Sequence, residues 1–192
     1  MKLAIVDYGC GNIGSLMLSF GRFGVEPLLT GDPEDLASAD RVLLPGVGAA
    51  GHAMEQLRAR ELDRLLPTLR QPALGICLGM QLLFDGSEEA DTEGLGIVPG
   101  RVRALEPAPG LPVPHMGWSK VSVSDEDLGL DTGDYLYFAH GYAADIGPAT
   151  AASAEHVRPI SAVVRSGNWL GAQFHPERSG EAGARFLKAF LS

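Results

Sequence analysis

Positive charge is scarce in this chain of 192 residues: 15 lysines and arginines stand against 24 aspartates and glutamates, a net charge of −9. A general nucleic-acid binder needs the opposite sign, because phosphate neutralisation supplies most non-specific affinity, so no nucleic-acid partner is expected. Long apolar runs are also missing; none approaches the ~20 residues of a membrane helix. The start, Met1-Lys2 followed by Leu3-Ala4-Ile5-Val6, is too short for a signal h-region and meets Asp7 at once. No membrane association and a cytoplasmic location are expected. Cysteine occurs twice, as Cys10 and Cys77, which argues against a disulfide framework and leaves room for a catalytic thiol. The chain has no C-x-x-C, no H-E-x-x-H, no histidine pair at metal spacing and no G-x-x-x-x-G-K. Neither a metal nor a cofactor is expected.

What remains has an ordinary globular balance, 45% hydrophobic and 20% charged. No repeat, low-complexity tract or linker divides it, so residues 1–192 are expected to form one domain. The first half alternates strand and helix signals. Strands are expected at Lys2–Asp7, Val25–Leu29, Arg41–Leu44 and Ala73–Ile76, and helices at Ile13–Phe23, His52–Leu66 and Leu78–Phe84. Strands this apolar, separated by helices, imply a parallel sheet covered on both faces. In the second half Asp85–Glu93 reads as an acidic surface loop and Glu106–Pro114 as a proline-rich loop. Strands follow at Arg101–Leu105, Trp118–Val123, Tyr135–Ala139, Ala162–Arg165 and Trp169–Phe174, before a closing helix, Glu181–Leu191. The expected class is α/β, with a mostly parallel central sheet, helices on both faces and additional antiparallel strands.

Two strand–turn–helix sites compete for chemistry. Gly9-Cys10-Gly11-Asn12-Ile13-Gly14 fits the dinucleotide pattern G-x-G-x-x-G, with Asp32 near where a ribose-binding acid would sit. The same glycines would serve equally in a tight turn that packs helix on sheet. Gly75-Ile76-Cys77-Leu78-Gly79 is the nucleophile-elbow pattern with cysteine in place of serine. A nucleophile on so sharp a turn needs small residues two positions either side. The turn lifts Sγ above the sheet, favours thiolate, and aims the Leu78 N–H at a developing oxyanion. The competing reading of Cys77 is a buried, inert thiol.

A thiol needs a base, and the candidates are His52, His115, His140, His156 and His175. Catalytic groups in parallel sheets gather at the carboxyl ends of strands, which favours His175, at the end of Trp169–Phe174. Pro176 biases His175 towards an extended backbone, so that His175 and Glu177 project to one side. Glu177 would then hold the imidazole tautomer while the other ring nitrogen takes the thiol proton. Pro45-Gly46-Val47-Gly48 follows a strand of the same sheet; glycine on both sides of Val47 lets a peptide plane turn an N–H towards the site.

With these residues in view the chain resembles the class I, triad-type glutamine amidotransferases, which have a flavodoxin-like architecture. The segments that carry the resemblance run from first strand to last: Asp7-Tyr8-Gly9-Cys10-Gly11-Asn12, Leu44-Pro45-Gly46-Val47-Gly48, Gly75 to Phe84, Pro114-His115-Met116-Gly117-Trp118, Tyr137-Phe138-Ala139-His140 and Gln173 to Ser179. The Asp-Tyr-Gly and Pro-His-Met-Gly-Trp segments are similar to those of the subfamily serving histidine biosynthesis. The resemblance implies that Cys77 attacks the side-chain amide of L-glutamine, that His175 returns the proton to departing ammonia, and that water cleaves the thioester. Leu78 and Gly46–Gly48 would hold the oxyanion; Gln81 and the backbone at Gly141 and Tyr142 would hold glutamine. Ammonia would pass to a separate (β/α)8 cyclase subunit, in a heterodimer, which forms imidazole glycerol phosphate and an aminoimidazole carboxamide ribotide. A glutaminase of this length leaves no room for an ammonia acceptor, which agrees with a second chain. Asn12, His115, Met116, Trp118 and Arg178 are the residues expected at that interface. Two positions depart from the family's habit: Gly141 where a hydroxyl residue is common, and Arg178 where lysine is usual. Two other readings keep the sequence's features: an amidotransferase with a different acceptor, and a non-catalytic module that binds a dinucleotide or senses redox through Cys77.

Overall fold

A computed structural model describes residues 1–192. The chain opens with β1 (Leu3–Val6), α1 (Ile13–Gly21), β2 (Leu28–Thr30), α2 (Pro33–Ser38), β3 (Arg41–Leu44), α3 (Ala50–Ala59), α4 (Leu62–Leu65), β4 (Ala73–Ile76) and α5 (Leu78–Gln81). A run of strands follows: β5 (Phe84–Ser87), β6 (Thr92–Glu93), β7 (Val98–Ala104), β8 (His115–Val123), β9 (Tyr135–His140), β10 (Tyr142–Ala144), β11 (Thr150–Glu155), β12 (Pro159–Ser166) and β13 (Trp169–Ala172). Helix α6 (Gly180–Leu191) ends the chain.

Nine strands make the main sheet, in the order β2-β1-β3-β4-β13-β12-β11-β8-β9. From β2 to β13 every pairing is parallel, and from β13 to β9 every pairing is antiparallel. Because successive side chains of a strand point to opposite faces, each short apolar strand feeds two cores. Leu3, Ile5, Leu43, Leu74 and Ile76 pack with Leu16 and Phe20 of α1 and Phe186 and Phe190 of α6. Ala4, Val6, Val42, Leu44 and Ala73 pack on the other side with Leu36, Met54, Leu57 and Leu62 of α2, α3 and α4. Each core gathers 27 buried residues, so neither face of the sheet is left open. A second sheet, β10-β7-β5-β6, brings Tyr142 towards the end of α5.

Several elements differ from expectation. The helix after Cys77 stops at Gln81, and Phe84–Ser87 is a strand because β7 and β6 supply its ladder partners. The acidic stretch therefore carries β5, a 3-10 turn at Glu89–Asp91 and β6. The helix expected at His52–Leu66 breaks where Glu61 takes a left-handed φ of 57°. Helix α2 was hidden in the turn signal Thr30-Gly31-Asp32-Pro33. Asp32 Oδ1 accepts the Glu34 N–H at 2.8 Å and Pro33 occupies the first turn, a cap and a preset φ acting together. That capping bond gives Asp32 a structural task. Gly11 is explained by close approach, since a Cβ there would meet Pro45 Cβ at 2.9 Å.

Candidate active site

Cys77 is the single residue between β4 and α5, at φ 54° and ψ −112°. Positive φ is costly for a residue with a side chain, and such strain collects at functional turns. The flanking glycines make the turn possible. A Cβ on Gly75 would lie 2.6 Å from the Gly79 carbonyl oxygen, and one on Gly79 would lie 2.0 Å from that of Leu44. The Cys77 N–H donates to Ala172 O of β13 at 2.7 Å, and Sγ lies 4.0 Å from Ala139 O.

The parallel pairing of β4 with β13, Gly75 opposite Gly171 and Ile76 opposite Ala172, carries the chain beyond β13 alongside Cys77. His175 follows there. Its backbone N–H donates to Tyr137 O at 2.9 Å, while Ser179 Oγ donates to His175 O at 2.7 Å and accepts from Tyr137 N at 2.9 Å. These bonds fix the segment against β9. The His175 ring sets Nδ1 2.9 Å from Glu177 Oε1, and the Glu177 side chain is almost fully buried. Burial alone would lower the imidazole's affinity for a proton. Contact with Cys77 and the bond to Glu177, with the charges of both, outweigh it and push His175 up to about 10. One ring thus meets a carboxylate and the Cys77 thiol together, an arrangement that favours the imidazolium form of His175.

These groups open on a cleft of about 400 Å³, within the size range of small-molecule sites. Of the residues expected to bind substrate, Val47, Gly48, Leu78, Gln81, Gly141 and Tyr142 line it. Gly46 lies beneath; a Cβ there would meet Gly79 N at 2.5 Å, so the Pro45–Gly48 loop sits directly on α5. Tyr8 holds that loop by donating its hydroxyl to Pro45 O at 2.6 Å. Asn12, Met116 and Arg178 stand at the cleft's rim. Trp118 is 53% exposed and meets the Tyr137 ring edge-on, with the Arg178 guanidinium 4.4 Å from that ring's centre.

His115 is a correction: it was expected on the partner face with Met116 and Trp118, and it is buried. The period of two along β8 sends Met116 and Trp118 outward and His115 inward. There it stacks between Phe138 and His156, with His140 at its edge. Burial, with His156 nearby, lowers His115 to about 4; burial, with His115 nearby, lowers His140 to about 3.

Two residues of the site, one on the cleft wall and one behind it, have no role that the sequence pattern assigns. Glu89 lies in the acidic stretch that reads as solvated surface, yet it lines the cleft and accepts the Ala50 N–H at 2.8 Å. Gln173 is fully buried and accepts a hydrogen bond from Gln81. Its only sequence signal is its place two residues before His175. No group of three or more His, Cys, Asp or Glu side chains is gathered as a metal site, and no helix is long and apolar enough to cross a membrane. Another cavity, about 330 Å³ between Arg41, Asn168 and Phe190, contains neither cysteine nor histidine.

Residues 4–192 match the family described as glutamine amidotransferase class-I. The chain is 50% identical over 192 residues to the imidazole glycerol phosphate synthase subunit HisH of Xanthomonas campestris pv. campestris, covering 98% of this chain and 96% of that one. It is 44% identical to the protein of the same name from Idiomarina loihiensis, covering 100% and 97%. Among solved structures, one described as a glutamine amidotransferase superposes with a TM-score of 0.79 at 18% identity, over 100% of this chain and 97% of that chain. A glutamine amidotransferase from Thermotoga maritima superposes with a TM-score of 0.61 at 19% identity, over 99% and 81%. At those identities the likeness concerns the fold.

Proposed function

The chain belongs to the class-I glutamine amidotransferases, and from that premise we propose that it is the ammonia-supplying subunit of an imidazole glycerol phosphate synthase in histidine biosynthesis. Residues 1–192 act as one glutaminase domain, in the cytoplasm. The observation that carries the reading is the His175 imidazole, bonded to Glu177 at 2.9 Å and turned to a thiol on a strained turn.

Cys77 Sγ, as thiolate, attacks the side-chain carbonyl carbon of glutamine, and negative charge moves onto the carbonyl oxygen. The Leu78 N–H and an N–H of the Gly46–Gly48 loop are the donors available to it. The C–N bond breaks as His175 delivers its proton to the nitrogen, which leaves as ammonia, and a glutamyl thioester remains. His175, now neutral, takes a proton from water as the water attacks the thioester carbon. Collapse breaks the C–S bond, regenerates the thiolate and releases glutamate. Glu177 keeps the Nδ1 proton in place throughout, so that the other nitrogen does the transfer. At the amino-acid end of the substrate, the backbone at Gly141 and Tyr142 and the Gln81 amide offer hydrogen bonds. Glu89, the one carboxylate on the cleft wall, suits the α-ammonium group.

Asn12, Met116, Trp118 and Arg178 form the docking face for the (β/α)8 barrel of the cyclase, in a heterodimer. Exposed methionine and tryptophan beside the cleft are the residue types that anchor interfaces. The guanidinium of Arg178 stands over the Tyr137 ring, 4.4 Å from its centre, and a planar group there is not equivalent to a lysine ammonium.

The test is glutamate release from glutamine by this chain, alone and with the cyclase and its ribonucleotide ligand, with Cys77→Ala beside it. Strong activation by the liganded partner, abolished in Cys77→Ala, is the expected result. Hydrolysis indifferent to that partner would assign another acceptor, and hydrolysis surviving Cys77→Ala would remove the thiol from the reaction.

A further inference from the structure

The mechanism gives no task to Gln173, a buried polar side chain behind the cleft. Gln173 has no exposed surface and lies between the end of β13 and His175. Its Oε1 accepts a hydrogen bond from Gln81 Nε2 at 3.0 Å, and Gln81 Nε2 also donates to Tyr142 O at 2.8 Å. Gln173 Nε2 has no partner.

Those two bonds settle which way both amides face. A backbone carbonyl can only accept, so the Gln81 atom against Tyr142 is its nitrogen. An amide nitrogen can only donate, so the Gln173 atom against it is the oxygen. Both hydrogens of Gln81 Nε2 are then engaged inside the protein. Gln81 Oε1 accepts no bond from the chain, and Gln81 forms part of the cleft wall beside Cys77 and His175. The cleft therefore meets Gln81 as an acceptor.

We infer that Gln173 is a positioning residue for substrate recognition: it holds Gln81 in the flip that presents oxygen to the cleft, and so selects a ligand with an N–H donor at that point. The inference rests on the glutaminase reading, in which glutamine supplies such donors. Without Gln173, Gln81 keeps only its bond to Tyr142, its amide swings about that contact, and the acceptor is no longer preset. The loss falls on binding, because no reacting atom touches Gln173.

The experiment is steady-state glutaminase kinetics of the complex with the liganded cyclase, for Gln173→Leu, Gln173→Glu, Gln81→Leu and the Gln81→Leu/Gln173→Leu pair. Gln173→Leu is expected to raise KM for glutamine about three- to tenfold, the loss of one hydrogen bond, with kcat within about twofold of the parent. Gln173→Glu keeps an accepting oxygen towards Gln81 but puts a buried carboxyl in place of the unpartnered amide nitrogen, so its KM is expected to lie clearly below that of Gln173→Leu. In the Gln81→Leu background, Gln173→Leu is expected to add nothing further, since it acts only through Gln81. A fall in kcat at unchanged KM, a Gln173→Glu variant as impaired as Gln173→Leu, or additive effects in the pair would each overturn the inference. If Gln173→Leu does not fold, Gln173→Met, which also lacks an accepting oxygen, replaces it both alone and in the pair. Absence of hydrolysis in the parent complex, or hydrolysis by Cys77→Ala, would strike the glutaminase reading instead.

Discussion

His175 Nδ1 and Glu177 Oε1 stand 2.9 Å apart at two positions of one short turn, with Pro176 between them. A pair so close in sequence needs no long-range closure to find its geometry, and the carboxylate helps to raise the imidazole to about 10. Its other oxygen, Oε2, is buried without a partner, so removing the charge leaves no second bond broken.

Replacing Glu177 with glutamine is expected to lower kcat at least about tenfold, through a misplaced Nδ1 proton and a weaker imidazolium. It also carries a stability signature. His175 binds its proton more tightly folded than unfolded, so its contribution is whole below pH 6.5 and is lost as pH rises through about 10. Urea midpoints measured from pH 7 to 10 should fall less steeply in Glu177→Gln than in the parent; an identical slope would remove Glu177 from this coupling.

Gly79→Ala should unseat the nucleophile. Its Cβ would meet Leu44 O at 2.0 Å, a backbone atom that can yield only by parting β3 from α5. A loss of at least about 2 kcal/mol in urea unfolding is expected, with loss of glutaminase activity. Gly14→Ala is the contrast: a Cβ there has open space inside α1, so unchanged or slightly raised stability is expected.

Acid should destabilise the protein through the buried histidines His115 and His140. His115 and His140 have folded values of about 4 and 3, below the ordinary 6.5, so the unfolded chain binds their protons first. Stability is therefore full above pH 6.5 and falls as pH drops towards those values. Moving from pH 8 to pH 5 is expected to cost about 2 kcal/mol for each ring. Urea titrations at both pH values should show a smaller difference in His115→Phe, and an unchanged one would show that His115 is not desolvated in solution.

Trp118→Ala is expected to weaken association with the cyclase by about 2 kcal/mol while leaving the isolated chain's unfolding midpoint within about 0.5 kcal/mol, because more than half of the side chain is exposed. Titration calorimetry and urea unfolding separate the two effects. Equal affinity would move the docking face elsewhere.

Where apolar strands alternate with helices, the sequence was legible: β1, β3, β4 and the last helix follow directly from their hydrophobic runs. The elbow could be read because its glycines answer a steric demand that local spacing displays. β11, Thr-Ala-Ala-Ser-Ala-Glu, was not legible, because its small side chains carry little alternation and its place depends on pairing with β8 and β12. Phe84–Ser87 is strand only because β7 lies alongside. Glu89 and Gln173 share that dependence: each becomes informative only when a distant partner, Ala50 or Gln81, is brought to it. His115 shows the converse, for a motif names neighbours in sequence whereas a strand sends them to opposite sides.

β13 lies between β4 and β12, in the middle of the sheet, although it is the last strand of the chain. The thiol and the imidazole, about 100 residues apart, become neighbours only when that strand slots in, the kind of distant pairing that slows folding. Without the pairing of β13 with β4, Cys77 has no imidazole beside it. Competence to spend glutamine is thus set by a strand pairing, that of β13 with β4, and not by the elbow alone.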